Sequence, residues 1–374
     1  MQRVVVIGAG YAGVIAANRI LAKGSDVTVT VVNPREVFVE RIRLHQLVAG
    51  TSDAVQSFTH VLHPQAQLVI GTVDRIADTH VTLREGTSIA YDYLVYAVGS
   101  GGNVHAAKGL AEHGHLGTEL EPARELAARV AALPAGATVT VVGGGSLGIE
   151  FASEIAEQRP DLLVSLVCAS ELAPTVGAKA RAALTKDLGR LGVAIRTQTR
   201  VTEVQPDAAD CTIWAAGFGV PDLAARSGLP VDALGRLLVD ETLSVPGHPN
   251  IIGVGDAVAP PESVAFNLRM SCQTAMPLGA HGADTLLARI RGDEPEPFSL
   301  GMLGINISVG RRRAVIQPAY RDDSPRSWAI TGGLGRAVKE FVCRSTVDGM
   351  VRQRQGKWYG WLKGPARRRE AVRV

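Results

Sequence analysis

Two short glycine-rich stretches constrain the fold of this chain more than any other feature of its sequence. The first, GAGYAG, occupies residues 8–13 and stands between an apolar run at residues 4–7 and a helical pattern at residues 14–21. The second, GGGSLG, occupies residues 143–148 and has the same kind of neighbours. A strand, a glycine turn and a helix in this order place free N–H groups of a helix N-terminus where a pyrophosphate can bind. The sequence therefore predicts two nucleotide-binding βαβ units.

The two units also agree in the position of their second strands. The strand after the first turn ends at Asn33 and the strand after the second turn ends at Cys168, at the same distance from the respective first glycines. Many such folds carry an acidic residue here, which binds the ribose of NAD, or a nearby Arg, which accepts the extra phosphate of NADP. Asn33 can still form a hydrogen bond with a ribose. Cys168, followed by Ala169 and Ser170, provides neither group, which predicts weak discrimination between NADH and NADPH.

Length and composition exclude several other classes of protein. The 374 residues suffice for two or three domains, and 46% hydrophobic against 20% charged residues is typical of a globular enzyme. The net charge of +3 argues against a nucleic-acid partner. The four cysteines form no CxxC and no metal-ligand spacing, so we expect no metal site and a cytoplasmic protein with reduced thiols.

Basic residues are concentrated at the end of the chain. Residues 351–374 contain eight Lys or Arg against the single acidic residue Glu370, together with Trp358, Tyr359 and Trp361. We favour a solvated tail and keep contact with a membrane surface as the alternative. No stretch reaches the ~20 apolar residues of a membrane-spanning helix. The expected location is therefore cytoplasmic, with a position peripheral to a membrane as the second interpretation.

Three further strands end in small residues. Residues 91–101, YDYLVYAVGSG, and residues 210–219, DCTIWAAGFG, each join a buried strand to a turn of small residues. Residues 251–258, IIGVGDAV, reach Gly255 and Asp256 at the end of an apolar strand. Asp256 is either a helix cap or a carboxylate that binds a cofactor hydroxyl. We favour the carboxylate because two nucleotide fingerprints precede it.

Two other segments bear on a binding site. Residues 38–50, FVERIRLHQLVAG, carry Arg41 and His45 in a helix-like pattern. We expect a partly exposed amphipathic helix there, with a position beside a cofactor as the alternative. Residues 271–288 predict a second helix, whose N-terminus offers positive dipole charge and whose first turns Pro277 would make irregular.

These motifs together resemble those of the flavoproteins with two dinucleotide-binding domains. GAGYAG is similar to the FAD fingerprint of that superfamily, GGGSLG to its NAD(P)H fingerprint, YAVGSG and WAAGFG to its crossover motifs, and IIGVGDAV to its second FAD motif. The resemblance implies an FAD site formed by Gly8, Gly10, Tyr11, Ala12, Gly13, Asn33, Arg41, Ala97, Gly99, Gly255, Asp256, Gln273, Thr274 and Ala275. It implies an NAD(P)H site formed by Gly143, Gly145, Ser146, Leu147, Gly148, Glu150, Cys168 and Gly217. Glu150, near the nicotinamide–flavin contact, and Gln273, beside the isoalloxazine ring, would be the catalytic residues.

Within that superfamily the chain resembles type II NADH dehydrogenases and apoptosis-inducing-factor-like NAD(P)H:quinone oxidoreductases. Disulfide reductases carry a redox cysteine pair after the first βαβ unit, whereas residues 38–50 hold no Cys. Type II dehydrogenases carry a second Gln four residues after the first, where it lines the quinone site. This chain has Pro277 at that position.

The resemblance also implies the architecture, an α/β fold with two Rossmann-like dinucleotide-binding domains. The FAD-binding domain would be discontinuous, over residues 1–117 and 237–298. The NAD(P)H-binding domain, residues 118–236, would be inserted into it. Residues 299–374 would form a C-terminal α+β interface section that ends in the basic tail.

The implied function is an FAD-dependent oxidoreductase without a redox-active disulfide. It would take a hydride from NAD(P)H and pass the electrons to a second substrate, a quinone-like small molecule. Three alternatives remain open: a tailoring dehydrogenase or oxidase, a reductase of an electron-carrier protein that docks on Arg311, Arg312 and Arg313, and a non-catalytic NAD(P)H-sensing protein. We expect a monomer or a homodimer.

Overall fold

The computed structural model describes residues 1–266, 268–357 and 359–364. Strands and helices alternate over most of this length. The strands are β1 (Gln2–Ile7), β2 (Val27–Asn33), β3 (Val37–Val39), β4 (Val55–Ser57), β5 (Gln67–Ile70), β6 (Val73–Ile76), β7 (His80–Leu83), β8 (Ser88–Ala90), β9 (Tyr93–Tyr96), β10 (Gly114–Leu116), β11 (Thr138–Val142), β12 (Leu163–Val167), β13 (Ala194–Arg196), β14 (Cys211–Trp214), β15 (Leu237–Leu238), β16 (Ser244–Val245), β17 (His248–Gly253), β18 (Val258–Ala259), β19 (Gly304–Val309), β20 (Arg313–Pro318) and β21 (Ile330–Thr331). The helices are α1 (Tyr11–Lys23), α2 (Leu44–Val48), α3 (Phe58–Val61), α4 (Leu110–His113), α5 (Leu120–Ala132), α6 (Ser146–Gln158), α7 (Ala178–Arg190), α8 (Leu223–Arg226), α9 (Glu262–Ala265), α10 (Cys272–Arg291) and α11 (Gly332–Arg354).

A six-stranded sheet forms the centre of the first domain, with its strands in the order β16-β17-β9-β1-β2-β5. Neighbouring strands are parallel, except for β16 and β17. The last four residues of β1 are buried, as expected for a β-branched strand in the middle of a parallel sheet. Helix α1 follows β1 and packs along α10, so the first glycine turn is held between the sheet and two helices.

A five-stranded sheet forms the centre of the second domain, in the order β10-β14-β11-β12-β13, and all of its pairs are parallel. Strands β11 and β12 repeat the pairing of β1 and β2, and β14 has the place that β9 has in the first sheet. Strands β9 and β17 pair although the whole second sheet lies between them in the chain. The α/β fold with two Rossmann-like domains is therefore confirmed. The domain boundaries after residues 117, 236 and 298 stay predictions.

The C-terminal section adds the antiparallel sheet β19-β20-β21 and the long helix α11. Helix α11 packs on β20 and on α1 of the first domain, while β19 packs on α6 of the second domain. The section thus contacts both dinucleotide-binding domains. This position brings its side chains to the place where the two domains face each other.

The segment over residues 38–50 is not the single, partly exposed helix that the sequence predicts. Val37–Val39 pair with β4 as a strand, a short 3₁₀ helix follows, and α2 covers only Leu44–Val48. Phe38 is 0% exposed, with its ring centroid 5.1 Å from that of Tyr11. The alternation of valine and phenylalanine at the start of the segment favours a strand, and packing against Tyr11 buries it.

The helix expected over residues 271–288 is observed as Cys272–Arg291. It continues through Pro277 without a break. Pro277 lies in the second turn, where its missing N–H removes one helical hydrogen bond and leaves the rest of the helix intact.

The predicted solvated tail is partly packed on the protein. Arg352 and Arg354 belong to α11. The indole Nε1 of Trp361 donates a hydrogen bond to the carbonyl oxygen of Ser299 at 2.8 Å. Trp358 and residues 365–374, which include four of the arginines of the predicted tail, lie outside the described residues. Within the described ranges, no helix combines the length and the apolar character needed to span a bilayer.

Candidate active site

The first glycine turn is folded so that two of its three glycines cannot carry a side chain. Gly8 has a φ of +96°, and a Cβ on it would lie 2.4 Å from the carbonyl oxygen of Ala97. A Cβ on Gly13 would lie 1.9 Å from the carbonyl oxygen of Gly8. A Cβ on Gly10, in contrast, would meet no described atom within 4 Å. The turn is closed toward the protein at Gly8 and Gly13 and open at Gly10, where a phosphate can approach the backbone.

The second glycine turn has the same geometry. Gly143 has a φ of +133°, and a Cβ on it would lie 2.8 Å from the carbonyl group of Ala215. A Cβ on Gly148 would lie 1.8 Å from the carbonyl oxygen of Gly143. A Cβ on Gly145, like one on Gly10, would meet no described atom within 4 Å. The two turns therefore offer the same kind of cradle, and both fit a dinucleotide pyrophosphate.

Helices α1 and α6 begin directly after the open glycines. The capping residue is glycine in both cases, so no capping side chain accepts a hydrogen bond from the first N–H groups of either helix. The first turns hold Tyr11 and Ala12 in α1 and Ser146 and Leu147 in α6, all predicted binding residues. Unpaired N–H groups and the helix dipole favour an anion at each of these ends.

Asn33 and Cys168, which end the second strands of the two units, differ in the polar groups that they offer to a ribose. The side chain of Asn33 accepts a hydrogen bond from the backbone N–H of Ala9 at 3.0 Å and donates one to the carbonyl oxygen of Arg35 at 2.8 Å. Asn33 therefore holds the glycine turn itself. Cys168 is 1% exposed and its Sγ would lie 2.7 Å from a Cβ on Gly144. Burial raises the pKa of the Cys168 thiol, so the thiol offers no charge to a ribose.

Three separated motifs meet around Asp256. The hydroxyl of Ser100, which follows Gly99 in the first crossover motif, donates to Asp256 Oδ2 at 2.7 Å. Arg41 Nη1 donates to Ser100 Oγ at 3.2 Å and lies 4.0 Å from Asp256 Oδ2. Asp256 Oδ1 is buried and finds no hydrogen-bond partner among the described residues. A buried carboxylate oxygen normally has a partner, so this oxygen fits a cofactor hydroxyl.

The first turn of α10 holds Gln273, Thr274 and Ala275 in the order predicted for the ring end of the site. With the amide of Gln273 oriented to satisfy both of its ends, the nitrogen donates to the carbonyl oxygen of Gly304 at 3.0 Å and the oxygen accepts from the N–H of Leu303 at 2.7 Å. This turn of α10 is therefore fixed to the start of the C-terminal section.

Helix α10 is also fixed to the first glycine turn. A Cβ on Gly279 would lie 2.2 Å from the carbonyl oxygen of Ala12. This close approach sets the N-terminus of α10 beside that of α1. Gly217 and Gly99 have φ values of +75° and +72° at equivalent places in the two crossover turns, and neither would bring a Cβ within 4 Å of another described atom. The assigned contacts of these residues with FAD and NAD(P)H stay predictions.

Glu150 lies on α6, shortly after the second glycine turn, and is tied to the C-terminal section. Lys339 Nζ lies 2.9 Å from Glu150 Oε1. The backbone N–H and the hydroxyl of Ser308 donate to the same oxygen at 3.1 and 3.0 Å. Burial alone would raise the pKa of Glu150, but the charge of Lys339 and the hydrogen bonds and charges of the other groups around the carboxylate together outweigh burial, and the pKa falls. Burial would likewise lower the pKa of Lys339, yet Glu150 raises it, so the two form a buried ion pair. The catalytic role of Glu150 stays a prediction.

His45 and Glu154 complete this cluster, and both are 0% exposed. His45 Nδ1 lies 3.9 Å from Glu150 Oε2, and His45 Nε2 lies 3.9 Å from Glu154 Oε2. Burial lowers the pKa of His45 to about 4 and raises the pKa of Glu154 to about 7. The sequence places His45 in a segment whose alternative interpretation is a position beside a cofactor, and Glu154 in the helix that follows the NAD(P)H fingerprint, but neither is predicted as a site residue. The available signal was the spacing of Glu150 and Glu154, which places both on one face of a helix.

The basic face expected at Arg311, Arg312 and Arg313 is largely neutralised. Arg311 Nε lies 3.6 Å from Glu154 Oε1, and its Nη2 lies 3.7 Å from a carboxylate oxygen of Glu340. Arg313 Nε lies 2.9 Å from Asp187 Oδ2. Acidic side chains of α6, α7 and α11 thus pair with Arg311 and Arg313 and reduce the positive charge of the surface on which an acidic carrier protein is expected to dock.

The four cysteines are free thiols. Cys272 is partly exposed, and the other three are buried. Burial raises the pKa of Cys272 to about 11, against the charge of Lys339, which acts in the opposite direction. Within the described residues, no group of three His, Cys, Asp or Glu side chains is placed to hold a metal ion.

Comparison with known proteins agrees with this geometry. An NADH dehydrogenase-like protein of Mycobacterium tuberculosis is 31% identical over 317 residues, which covers 75% of this chain and 79% of the relative. A type II NADH:quinone oxidoreductase of the same organism is 28% identical over 377 residues, covering 84% of this chain and 79% of the relative.

Two solved structures have the same fold. The sulfide:quinone oxidoreductase of Aquifex aeolicus has a TM-score of 0.78 at 20% identity, over 96% of this chain and 92% of that one. The NDH2 of Plasmodium falciparum in complex with NADH has a TM-score of 0.76 at 16% identity, over 98% of this chain and 100% of that one.

The match of a family model extends this agreement from the glycine turns to most of the chain. It covers residues 2–279, which include both turns, both crossover motifs and the start of α10. This chain therefore belongs to the pyridine nucleotide-disulphide oxidoreductase family.

Proposed function

We propose that this protein is an FAD-dependent oxidoreductase that oxidises NAD(P)H and reduces a quinone-like small molecule. The observation that carries the proposal is that this chain has two equivalent glycine turns. Each is open at its middle glycine, and each leads into the N-terminus of a helix, α1 or α6. A protein that binds one dinucleotide needs one such turn. The relatives named above as NADH dehydrogenase-like protein and type II NADH:quinone oxidoreductase support the same reaction.

The residues of the first domain would hold FAD. The turn at Gly8, Gly10 and Gly13 would receive its pyrophosphate, and Asp256 Oδ1 would accept a hydrogen bond from one of its hydroxyls. When bound, FAD accepts a hydride from NAD(P)H and returns the electrons to a second substrate. The turn of α10 at Gln273 would fix the ring end of the site, because its amide is anchored on the C-terminal section.

The residues of the second domain would hold NAD(P)H. Gly143, Gly145 and Gly148 would receive its pyrophosphate, with the first turn of α6 at Ser146 and Leu147 beside it. Since α6 also carries Glu150, the same helix that binds the nucleotide presents a charged carboxylate to the space between the domains. The C-terminal section packs over Glu150 through Ser308 and Lys339 and leaves the residue 7% exposed.

A quinone-like acceptor is favoured over a carrier protein. The relatives support a small-molecule acceptor, and two of the three arginines expected to dock an acidic carrier, Arg311 and Arg313, are paired within the chain. Type II dehydrogenases carry a second Gln where this chain has Pro277, so the acceptor site proposed here would present a proline instead of an amide at that position. Contact with a membrane surface through the basic end of the chain, and a monomeric or dimeric state, remain part of the proposal.

The test is anaerobic reduction followed by a panel of acceptors. Purified protein with FAD should lose its flavin absorbance when NADH or NADPH is added without oxygen, and a benzoquinone should restore it over repeated cycles. Oxygen and an acidic electron-carrier protein serve as competing acceptors. Flavin that is not reduced contradicts the proposal, and reduction that occurs once and is reversed by no acceptor favours a sensing protein.

We expect the protein to use both NADH and NADPH. The exposed side chains at the end of β12 are Ala169 and Ser170. The turn after β13 lies beside them, because the N–H of Gln198 donates to the carbonyl oxygen of Ser170 at 3.1 Å. Arg196 and Arg200 flank this turn and are exposed, so a phosphate would meet positive charge. The kcat/KM values for NADH and NADPH should differ by less than about a hundredfold, or ~2.7 kcal/mol.

Ser170→Glu should shift this preference toward NADH. The new carboxylate can bind ribose hydroxyls and repels the phosphate of NADPH, so kcat/KM for NADPH should fall by about tenfold or more while that for NADH is kept. Steady-state kinetics with both coenzymes measure the ratio. Ser88→Glu, an exposed serine on β8 of the first domain, is the control that should leave it unchanged. An unaltered ratio in Ser170→Glu would place the ribose elsewhere.

A further inference from the structure

The loop that follows the second strand of the NAD(P)H unit is held from outside its own domain. Residues 168–177 join β12 to α7 and contain Ser170, whose exposed side chain lies at the proposed ribose position. The backbone N–H of Gly177, the residue before α7, donates to Gln317 Oε1 of the C-terminal section at 3.2 Å. Gln317 is 2% exposed, so this contact is made inside the protein.

Gln317 reaches the loop from a rigid base. Its backbone belongs to β20, and a Cβ on Gly304 of the neighbouring strand would lie 2.1 Å from its carbonyl oxygen. Its amide nitrogen donates to the carbonyl oxygens of Pro318 at 2.8 Å and Arg326 at 2.9 Å. These partners are backbone groups, which are poorly free to move. They therefore orient the amide so that its oxygen faces Gly177.

The middle of the loop is tied to the second glycine turn. The N–H of Ala173 donates to the carbonyl oxygen of Gly144 at 2.8 Å. Ala173 has a φ of +45°, a left-handed conformation that alanine adopts only where its surroundings hold it. A Cβ on Gly144 would lie 3.5 Å from the carbonyl oxygen of Glu171. A shift of the loop would therefore disturb the backbone of the nucleotide cradle.

Arg181 of α7 holds the same loop from within its own domain. Its Nε donates to the carbonyl oxygen of Leu172 at 2.8 Å, and its Nη2 donates to that of Val176 at 3.1 Å. Its guanidinium also pairs with Glu171 at 2.7 Å. These contacts tie the loop to α7. Gln317 acts at Gly177, the point where the loop joins that helix, and so fixes both to the C-terminal section.

We propose that Gln317 is a positioning residue for NAD(P)H. From the C-terminal section it holds residues 168–177 in the conformation that binds the adenosine ribose, and it thereby sets the affinity for both coenzymes. This inference rests on the proposed function, because it takes the loop as the ribose end of the NAD(P)H site. A loop that is fixed before binding loses little conformational entropy when the ligand binds, so its affinity is higher. Gln317 should therefore act on coenzyme binding and not on hydride transfer.

Two substitutions disturb this contact from opposite sides. Gln317→Met keeps an unbranched side chain of similar length and removes its hydrogen bonds. Gly177→Ala leaves Gln317 in place, but the new methyl group would lie 3.2 Å from Gln317 Oε1, so one of the two groups must give way. Gly177 has a φ of −69°, which alanine adopts without strain, so the backbone itself tolerates the change.

Gln353→Met is the matched control. Gln353 is also 2% exposed, and its Oε1 accepts a hydrogen bond from Arg19 Nη1 at 3.2 Å. This contact joins α11 to α1 in the first domain. The control therefore loses a buried glutamine with a comparable hydrogen bond, but it leaves the NAD(P)H loop untouched.

Each protein is loaded with FAD and followed in three measurements. Calorimetric titration with ADP-ribose, which has the pyrophosphate and both riboses but no nicotinamide, reports binding without hydride transfer. Hydrogen–deuterium exchange reports the opening of residues 168–177. Kinetics under anaerobic conditions give the limiting rate of flavin reduction by NADH, and steady-state turnover gives kcat and the KM values for NADH, NADPH and a benzoquinone.

Gln317→Met should bind ADP-ribose at least about fivefold more weakly, and the KM values for NADH and NADPH should rise by a similar factor. The amides of residues 168–177 should exchange faster. The limiting rate of flavin reduction, kcat and the KM for the benzoquinone should stay within about twofold of the unmodified protein.

Gly177→Ala should change the same quantities in the same direction, by a smaller factor. The two substitutions together should weaken binding by less than the product of their separate factors, because both act on one contact. Gln353→Met should unfold at a lower urea concentration and yet bind ADP-ribose as the unmodified protein does.

Several results would overturn the proposal. They are an unchanged ADP-ribose affinity in Gln317→Met, an equal loss of affinity in Gln353→Met, and a loss that appears in kcat or in the KM for the benzoquinone instead. If Gln317→Met does not fold, Gly177→Ala decides the question, and unchanged binding in that variant contradicts the proposal. Failure of NADH to reduce the flavin contradicts the proposed function, whereas the ADP-ribose titration still judges the role of Gln317. An unmodified protein that does not bind ADP-ribose contradicts both.

Discussion

Gly13→Ala is expected to destabilise the first domain strongly, whereas Gly10→Ala is expected to fold and to lose FAD. The methyl group on residue 13 would lie 1.9 Å from the carbonyl oxygen of Gly8, which is rigid backbone, so α1 must leave the turn. We expect a loss of about 4 kcal/mol or more in the free energy of unfolding, the range in which single substitutions reflect a severe steric conflict.

Gly10→Ala tests the same turn from its open side. Gly10 has a φ of −80°, which alanine adopts without strain, and the space around its Cβ is free of described protein atoms. Stability should change by less than about 1 kcal/mol. FAD should bind much more weakly, because the methyl group occupies the approach of the pyrophosphate. Circular dichroism, urea unfolding and FAD titration separate these two effects.

The second turn supplies the matched comparison. Gly145 has a φ of −81° and equally free surroundings. Gly145→Ala should keep the protein folded and yellow, and should raise the KM for NAD(P)H. If Gly10→Ala binds FAD as tightly as the unmodified protein, the cofactor does not cross that turn and the assignment of the first domain is wrong.

Lys339→Met should cost about 3 kcal/mol of stability near pH 8. The substitution leaves Glu150 buried without its positive partner, and removing one member of a buried ion pair typically costs ~3–5 kcal/mol. The exposures of the two side chains, 14% and 8%, make this a mostly buried pair. Lys108→Met is the control, because Lys108 and Glu203 are 80% and 44% exposed and their pair should contribute less than about 1 kcal/mol.

The effect of Lys339→Met should depend on pH in a defined direction. In the unmodified protein the pKa of Glu150 is lowered, so its contribution to stability is present above the unfolded value and is lost as pH falls through the folded value. Without Lys339, burial raises that pKa, and the variant regains stability in acid by protonating Glu150. Urea unfolding at pH 8 and pH 5.5 measures this difference.

A second substitution isolates the buried charge. Adding Glu150→Gln to Lys339→Met should restore part of the lost stability, because the unpaired charge is then gone. A cost for Lys339→Met no greater than that for Lys108→Met, at both pH values, would show that Glu150 is not held as a buried charge.

The glycine turns were predictable from sequence because their chemistry is local. Gly8, Gly10 and Gly13 lie within one turn and its helix, and the constraint on each comes from backbone atoms nearby or from the adjacent strand end at Ala97. The crossover motifs and the strand of Asp256 follow the same rule. Parallel strands bring their carboxyl ends to one edge of a sheet, so motifs far apart in the chain meet at a place that the strand pattern already indicates.

The segment over residues 38–50 shows where local reasoning was insufficient. Its apolar spacing is compatible with a helix, and the pairing of β3 with β4 decided the strand at its start. The same segment places His45 beside Glu150 and Glu154, which no periodicity could indicate. Burial of Phe38 against Tyr11 fixed this arrangement, because the apolar ring had a partner only in the folded domain.

The sequence by itself determined the two nucleotide cradles and the strand–turn–helix units that contain them. Only the tertiary structure decided the partners of the buried charges: Lys339 and Ser308 for Glu150, and His45 for both glutamates. The physical reason is the range of the interactions. Steric limits on a turn act between neighbours in the chain, whereas a buried charge is stabilised by whichever oppositely charged or hydrogen-bonding group the packing of distant elements brings to it.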